Sequence, residues 1–113
     1  MSSPEITIIG NIGTAIEKKL VGNSKKVEFR VITSDRVKDE HGNWSDKNKS
    51  GWSVEAWDKT AERCADHLEI GDPVIIIGVI HDHSWTDKDG TSRIRQVVRI
   101  SSIGLDVTRA KVK

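Results

Sequence analysis

Four tryptophans and a run of arginines are the residues of this chain with the most distinctive chemistry. Trp44, Trp52, Trp57 and Trp85 stand in a sequence with one phenylalanine, Phe29, and no tyrosine. Three of them have polar or small neighbours, in Asn43-Trp44-Ser45, Gly51-Trp52-Ser53 and Ser84-Trp85-Thr86. An indole in such company is expected at a surface, where its flat face can stack. Arg93, Arg95 and Arg99 share one parity, and no carboxylate lies between Arg93 and Arg99. Unpaired bases stack on any aromatic face, and cations beside that face hold the backbone, so the pattern suits single-stranded nucleic acid.

Other chemistries find less support. His81 and His83 lie two apart, a spacing that could chelate a metal, but Asp82 points to the opposite side and a third ligand is not evident. Neither a metal nor a cofactor is expected. Cys64 is single, which excludes an internal disulfide or a thiolate cluster and reads as a small buried hydrophobe. There is no Ser/His/Asp arrangement, no phosphate-binding glycine loop and no carboxylate pair in a catalytic setting. The expectation is a protein that is not an enzyme.

Positioning these side chains requires strands. Ile6–Asn11, Val27–Thr33, Gly51–Trp57, Val74–Trp85 and Arg93–Ile103 alternate apolar and polar residues or are rich in β-branched types. One helix is predicted over Lys59–Leu68, with Asp58 as N-cap and Gly71 as the stop beyond it. Three strands, a helix and two strands make an all-β protein with one helix, in the order of the five-stranded OB barrel. Val37–Ser50 reads as a long polar loop holding Trp44, and Asp89-Gly90 as the turn between the last two strands.

Strand parity assigns faces. Trp57 shares a side with Glu55 and Ser53, and Trp85 with His81 and His83. Arg93, Arg95 and Arg99 lie opposite Ile94, Val98 and Ile100. Trp52 falls with Val54 and Ala56 on the apolar side unless a bulge reverses it, and it is left open between a nucleic-acid contact and a contact between subunits.

With 113 residues and no internal repeat the chain is one domain, 1–108, followed by a short basic tail, 109–113. At 31% charged and 35% hydrophobic it is neither a membrane protein nor a disordered segment. The start lacks a signal-peptide pattern, and a reducing cytoplasm is expected. A net charge of +1 argues against a diffuse polycation, so placement of charge must do the work.

Taken together, Ile6–Gly13, Val27–Ser34, Ala56–Glu62, Leu68–Val74 and Trp85–Gly90 followed by Arg93 resemble, in order, the bacterial single-stranded DNA-binding proteins. The ending Ser102–Arg109 looks like actinobacterial members. The resemblance implies an OB fold, a homotetramer, and wrapping of single-stranded DNA during replication, repair and recombination, in the cytoplasm at the nucleoid. It places Trp57 and Trp85 at family aromatic positions and Lys19, Lys59 and Arg93 at basic ones. Trp52 and Trp44 are further stacking candidates. Arg95, Arg99, Arg30 and Arg36 are phosphate candidates with Arg93, Lys19 and Lys59.

The chain also departs from the family pattern. Val37 stands where an aromatic is common, and a family tryptophan position falls on Gly51, next to Trp52. His81 and His83 stand near family basic positions, which implies weaker or more pH-sensitive binding. The sequence ends Arg109-Ala-Lys-Val-Lys113 without the acidic recruiting tip of many members, as expected of either a short paralogue or a truncated chain, so the resemblance does not extend to recruitment of replication or repair partners. The alternative function is an OB scaffold that binds protein, modulating another single-stranded DNA-binding protein by mixed assembly.

Overall fold

A computed structural model describes residues 3–110. Its elements are β1 (Glu5–Ile12), β2 (Glu17–Val21), β3 (Ser24–Lys38), β4 (Trp44–Trp57), α1 (Asp58–His67), β5 (Pro73–Thr86) and β6 (Ser92–Leu105). Hydrogen bonding runs β1–β5–β6–β4–β3, and β3 pairs back to β1 at Asn11↔Ile32 and Ile12↔Val31. That last pairing closes a ring of five strands. All pairings in it are antiparallel except β4 with β6. With α1 between the third and fourth strands of the ring, this is the OB topology expected from the order of elements.

The strand β2 was not foreseen. It pairs with β3 through Glu17↔Glu28 to Val21↔Ser24 and extends the edge of β3 that β1 leaves open. Its residues are all exposed, so it carries no buried alternation by which to be recognised.

Alternation builds the core. Ile8 and Ile12 from β1, Val27, Phe29 and Val31 from β3, Val54 and Ala56 from β4, Val74 and Ile76 from β5, and Val98 and Ile100 from β6 all point inward. Ala61 and Cys64 of α1 join them. Burial raises the Cys64 thiol above its ordinary pKa, consistent with its reading as a small hydrophobe. Two glycines let strands approach closely. A Cβ on Gly10 would lie 2.5 Å from the Ile32 carbonyl oxygen, and one on Gly78 would lie 2.6 Å from that of Arg99.

The helix differs from expectation at both ends. Trp57 occupies the N-cap position and makes no side-chain capping bond. Asp58 is the first helical residue instead, and its carboxylate accepts a hydrogen bond from the Lys25 amide. Gly71 has the positive φ foreseen for it, +95°, but in the turn after the helix. There its amide donates to the Ile12 carbonyl, while the helix ends on an extended Leu68.

The predicted loop 37–50 is largely strand. β3 and β4 run on together as a ribbon as far as Lys38↔Trp44, leaving a short turn at 39–43. β5 and β6 form a second ribbon as far as Thr86↔Ser92. The radius of gyration is 16.1 Å, against about 13 Å for a compact chain of this size, and the longest extent is 52 Å.

Two irregularities set which way side chains point. In β4, Asn48 and Lys49 lie where β3 has only Ser34, and Asn48 adopts φ +55°. In β6, Ser101 is extra between Ile77↔Ser102 and Gly78↔Ile100, which turns Ile103 toward the core. Each is a β-bulge, one surplus residue that reverses the parity beyond it.

Candidate nucleic-acid interface

The outer wall of β3, β4, β6 and β5 brings together most of the residues singled out by type and parity. Residues directly opposite each other on neighbouring strands share a face. Lys26 is opposite Trp57, Glu28 opposite Glu55, and Arg30 opposite Ser53. Arg99 neighbours Glu55 on β6, and up the second ribbon His83 is opposite Arg95 and Trp85 opposite Arg93. The wall therefore runs from Trp57 at the helix end to Trp85 near the tip of the β5–β6 ribbon.

Each outward indole carries a cation. The Lys26 ammonium stands 5.2 Å from the Trp57 ring centroid. The Arg95 guanidinium stands 5.9 Å from that of Trp85, which also stacks on His83 at 6.0 Å. Trp44 is covered by Arg36 at 6.0 Å and Lys38 at 5.9 Å. Simple alternation would put Trp44 with Trp52 and Val54, on the inward side. The Asn48 bulge turns it to the side of β3 that carries Lys26, Glu28 and Arg30.

Trp57 is half-buried, and its indole N–H is buried without a hydrogen-bond partner. An unsatisfied buried donor costs roughly 1–3 kcal/mol. The ring is thus held by packing and by Lys26, not by its polar edge.

Trp52 behaves differently. It packs against the core, and its Nε1 donates to Thr33 Oγ1 at 3.1 Å. The bulge that could have turned it outward lies on the far side of Gly51, so Trp52 keeps the side of Val54 and Ala56. Its remaining exposed edge lines a cleft with Ile6, Ile9, Thr33 and Asn48.

Charge on the wall is knitted rather than free. Lys26 lies 2.7 Å from Glu28 and 3.0 Å from Glu55. His81 Nε2 is 2.7 Å from Glu55, and Arg99 Nε is 3.6 Å from the same carboxylate. Lys19, at 3.3 Å, and Arg95, at 3.7 Å, reach Glu28. Burial opposes ionisation of Glu55, yet hydrogen bonds from His81 and Lys26 hold its carboxyl below the ordinary range. The hydrogen bond from Lys26, with a further one from Lys19, lowers Glu28 against its partial burial. Burial works against the charged Lys26, but the bonds to Glu28 and Glu55 raise its pKa overall.

The remaining candidates are dispersed. Arg30 donates to Ser53 at 2.9 Å, and Arg36 pairs with Asp46 at 3.2 Å. Arg93 pairs with Asp87 at 2.6 Å, which ties it to the turn of the second ribbon. Lys59 is exposed in the first turn of α1, two residues after Trp57. Ile94, expected to face inward, is 69% exposed because the second ribbon has left the barrel by that point. His81 and His83 take Glu55 and Trp85 as partners and do not converge on a common point. Lys26 was missed by sequence reasoning, although the expected pairing of the second and third strands of the ring would have set it opposite Trp57.

Arg109, taken as the start of a basic tail, is pinned to the barrel. It donates to Asp106 at 2.8 Å, to Asn11 Oδ1 at 2.8 Å and to the Gly10 carbonyl at 3.0 Å. Residues 111–113 of that tail lie outside the described residues.

Comparison with known proteins agrees with this geometry. The model of the single-strand binding protein family matches residues 4–106. Single-stranded DNA-binding protein 2 of Streptomyces coelicolor is 27% identical over 110 residues, covering 96% of this chain and 55% of that protein. Single-stranded DNA-binding protein 1 of a Nostoc species is 27% identical over 107 residues, covering 93% of this chain and 84% of its own length. Among solved structures, the small single-stranded DNA-binding protein from Streptomyces coelicolor superposes with a TM-score of 0.82 at 26% identity, covering 97% of this chain and all of that one. The chain thus spans little more than half of one relative and the full length of another.

Proposed function

The chain belongs to the single-strand binding protein family, and from that premise we propose that it binds single-stranded DNA without sequence preference, as a non-catalytic protein of DNA replication, repair and recombination. The observation that carries the reading is the shared outer wall on which Trp57, Trp85 and the cations around them lie. Trp57 and Trp85 stack bases, and Trp44 supplies a further platform at the end of the first ribbon. Arg93, Arg95, Arg99, Lys19, Arg30, Arg36 and Lys59, with Lys26, meet phosphates. Trp52 contributes mainly by packing.

Stacking on each aromatic contributes roughly 1–3 kcal/mol and accepts any base, so two platforms give micromolar-or-better binding only when backbone contacts add to them. A chain with a net charge of +1 obtains those contacts by placement, not by total charge.

A homotetramer is supported by a second surface. Ile9 and Ile75 stand opposite each other on β1 and β5, with Ile77 one step along, and all three face outward at 57%, 37% and 46% exposure. Ile32 shares a cleft with Ile9. An apolar sheet face of this kind is a liability on a lone barrel and an asset between barrels. Self-association through it leaves the tryptophan wall open.

Titration with oligo-dT tests the reading. Tryptophan fluorescence falls on binding, the affinity weakens steeply with salt, and light scattering gives the mass of a tetramer. Absence of quenching at low salt overturns the proposal. Binding of protein but not of oligo-dT favours the scaffold reading instead.

A further inference from the structure

Glu28 and Glu55 interrupt the cationic wall. They face each other across β3 and β4, between the Trp57 end and the Trp85 ribbon. Like charges directly opposite on a ladder repel, and Glu55 is only 3% exposed. The pair persists because cations enclose it. Lys26 bridges both carboxylates, Lys19 and Arg95 close on Glu28, and His81 and Arg99 close on Glu55.

Resting on the single-stranded DNA reading above, we infer that Glu55, together with Glu28, is an internal phosphate surrogate that competes with the bound strand for Lys26, His81 and Arg99 and thereby sets affinity and salt dependence. The carboxylate oxygens take up N–H groups that these cations would otherwise offer to phosphate oxygens. A strand entering the wall must exchange one anion for another. Such an exchange sheds fewer counterions than the meeting of a phosphate with a free cation, and it leaves Glu55 beside the incoming charge. The net attraction along this stretch is correspondingly reduced, and the indoles carry a larger share of the binding.

The test compares the unmodified chain with Glu55→Gln, Glu28→Gln and Glu69→Gln in oligo-dT titrations over a range of salt. Glu69→Gln adds the same unit of charge at an exposed position after α1, away from these cations, and controls for net charge alone. Glu55→Gln should tighten binding at low salt by about fivefold, the scale of one ion pair between the strand and a released cation. It should also steepen the logarithmic salt slope by about 0.7, the single-strand value for one more cation engaged. Glu28→Gln should act in the same direction, and Glu69→Gln should change neither quantity. Unchanged or weaker binding by both Glu55→Gln and Glu28→Gln, with the barrel intact by circular dichroism, overturns the inference, as does equal tightening by Glu69→Gln. If Glu55→Gln does not fold, the more exposed Glu28→Gln decides. An unmodified chain that fails to bind oligo-dT overturns the proposed function as well, whereas one that binds while the variants bring no gain overturns the surrogate alone.

Discussion

Lys26 stands across the ladder from Trp57 and holds its ammonium 5.2 Å from the centre of the indole. One face of the ring is thus already under a cation. A cation–π contact contributes about 0.5–1 kcal/mol when exposed and about 2 kcal/mol when desolvated, whereas a stacked base contributes roughly 1–3 kcal/mol. Under the proposed function, a base stacking on that face would displace an ammonium that Glu28 and Glu55 still hold, at 2.7 and 3.0 Å, and would leave that charge within reach of the strand's phosphates.

Replacing the two wall tryptophans follows from that ordering. Trp57→Ala and Trp85→Ala should each weaken oligo-dT binding by roughly 1–3 kcal/mol. Trp57→Phe should retain most of the affinity because a stacking face remains. The two alanine effects should add, since the rings sit on different strands and share no partner. Fluorescence or anisotropy titration of the single and double variants checks this.

Trp52 should separate stability from binding. Its ring packs on the core and its donor is satisfied by Thr33. Trp52→Ala should lower stability by about 3 kcal/mol, the low end for a core tryptophan. Thr33→Val should lower it by about 1 kcal/mol. Urea unfolding measures both losses, and the fraction that stays folded should bind oligo-dT far better than Trp57→Ala does.

The Glu55 cluster gives a pH dependence with a definite sign. Glu55 and Glu28 ionise more readily in the folded chain than in the unfolded one. Their contribution is fully present above the unfolded carboxylate value of about 4.3 and is lost as pH falls below it toward the depressed folded values. Glu55→Gln should lower stability by about 1–2 kcal/mol near neutrality. The gap between the variant and the unmodified chain should close as pH drops below 4.3 or so. Thermal melts across that window test both statements, and a gap that widens in acid would sink them.

Two glycines on the wall strands should respond oppositely to alanine. At Gly78 a Cβ meets the Arg99 backbone, which the ladder fixes in place, so Gly78→Ala should destabilise by about 1–3 kcal/mol. At Gly51 the atoms nearest a Cβ belong to the guanidinium of Arg30, which can swing aside. Gly51→Ala should be tolerated at the expense of the Arg30–Ser53 hydrogen bond. Chemical denaturation of the two variants distinguishes them.

Much of this arrangement was legible before any coordinates. Val27, Phe29 and Val31 alternate cleanly, and the apolar positions of the ring strands fix which sides are buried. That parity already placed Trp57 and Trp85 with the arginines. What escaped was set by pairing rather than by period. β2 buries nothing and so shows no pattern. Polar residues at 37–50 read as a loop because a solvated ribbon has two polar faces. Asn48 and Ser101 reverse parity through backbone geometry that no alternation rule contains. Glu55 looked like an ordinary outward carboxylate, and only the convergence of Lys26, His81 and Arg99 from three other strands buries it.

The surplus residue at Asn48 makes the first ribbon a phase-sensitive arm. Adding or removing two residues between Trp44 and the barrel would keep the terminal indole on the working side, whereas a change of one would swing it to the back. Reach along this arm can be altered only in even steps, so a strand that must touch both the barrel and the arm constrains the arm's length modulo two, independently of which polar residues fill it.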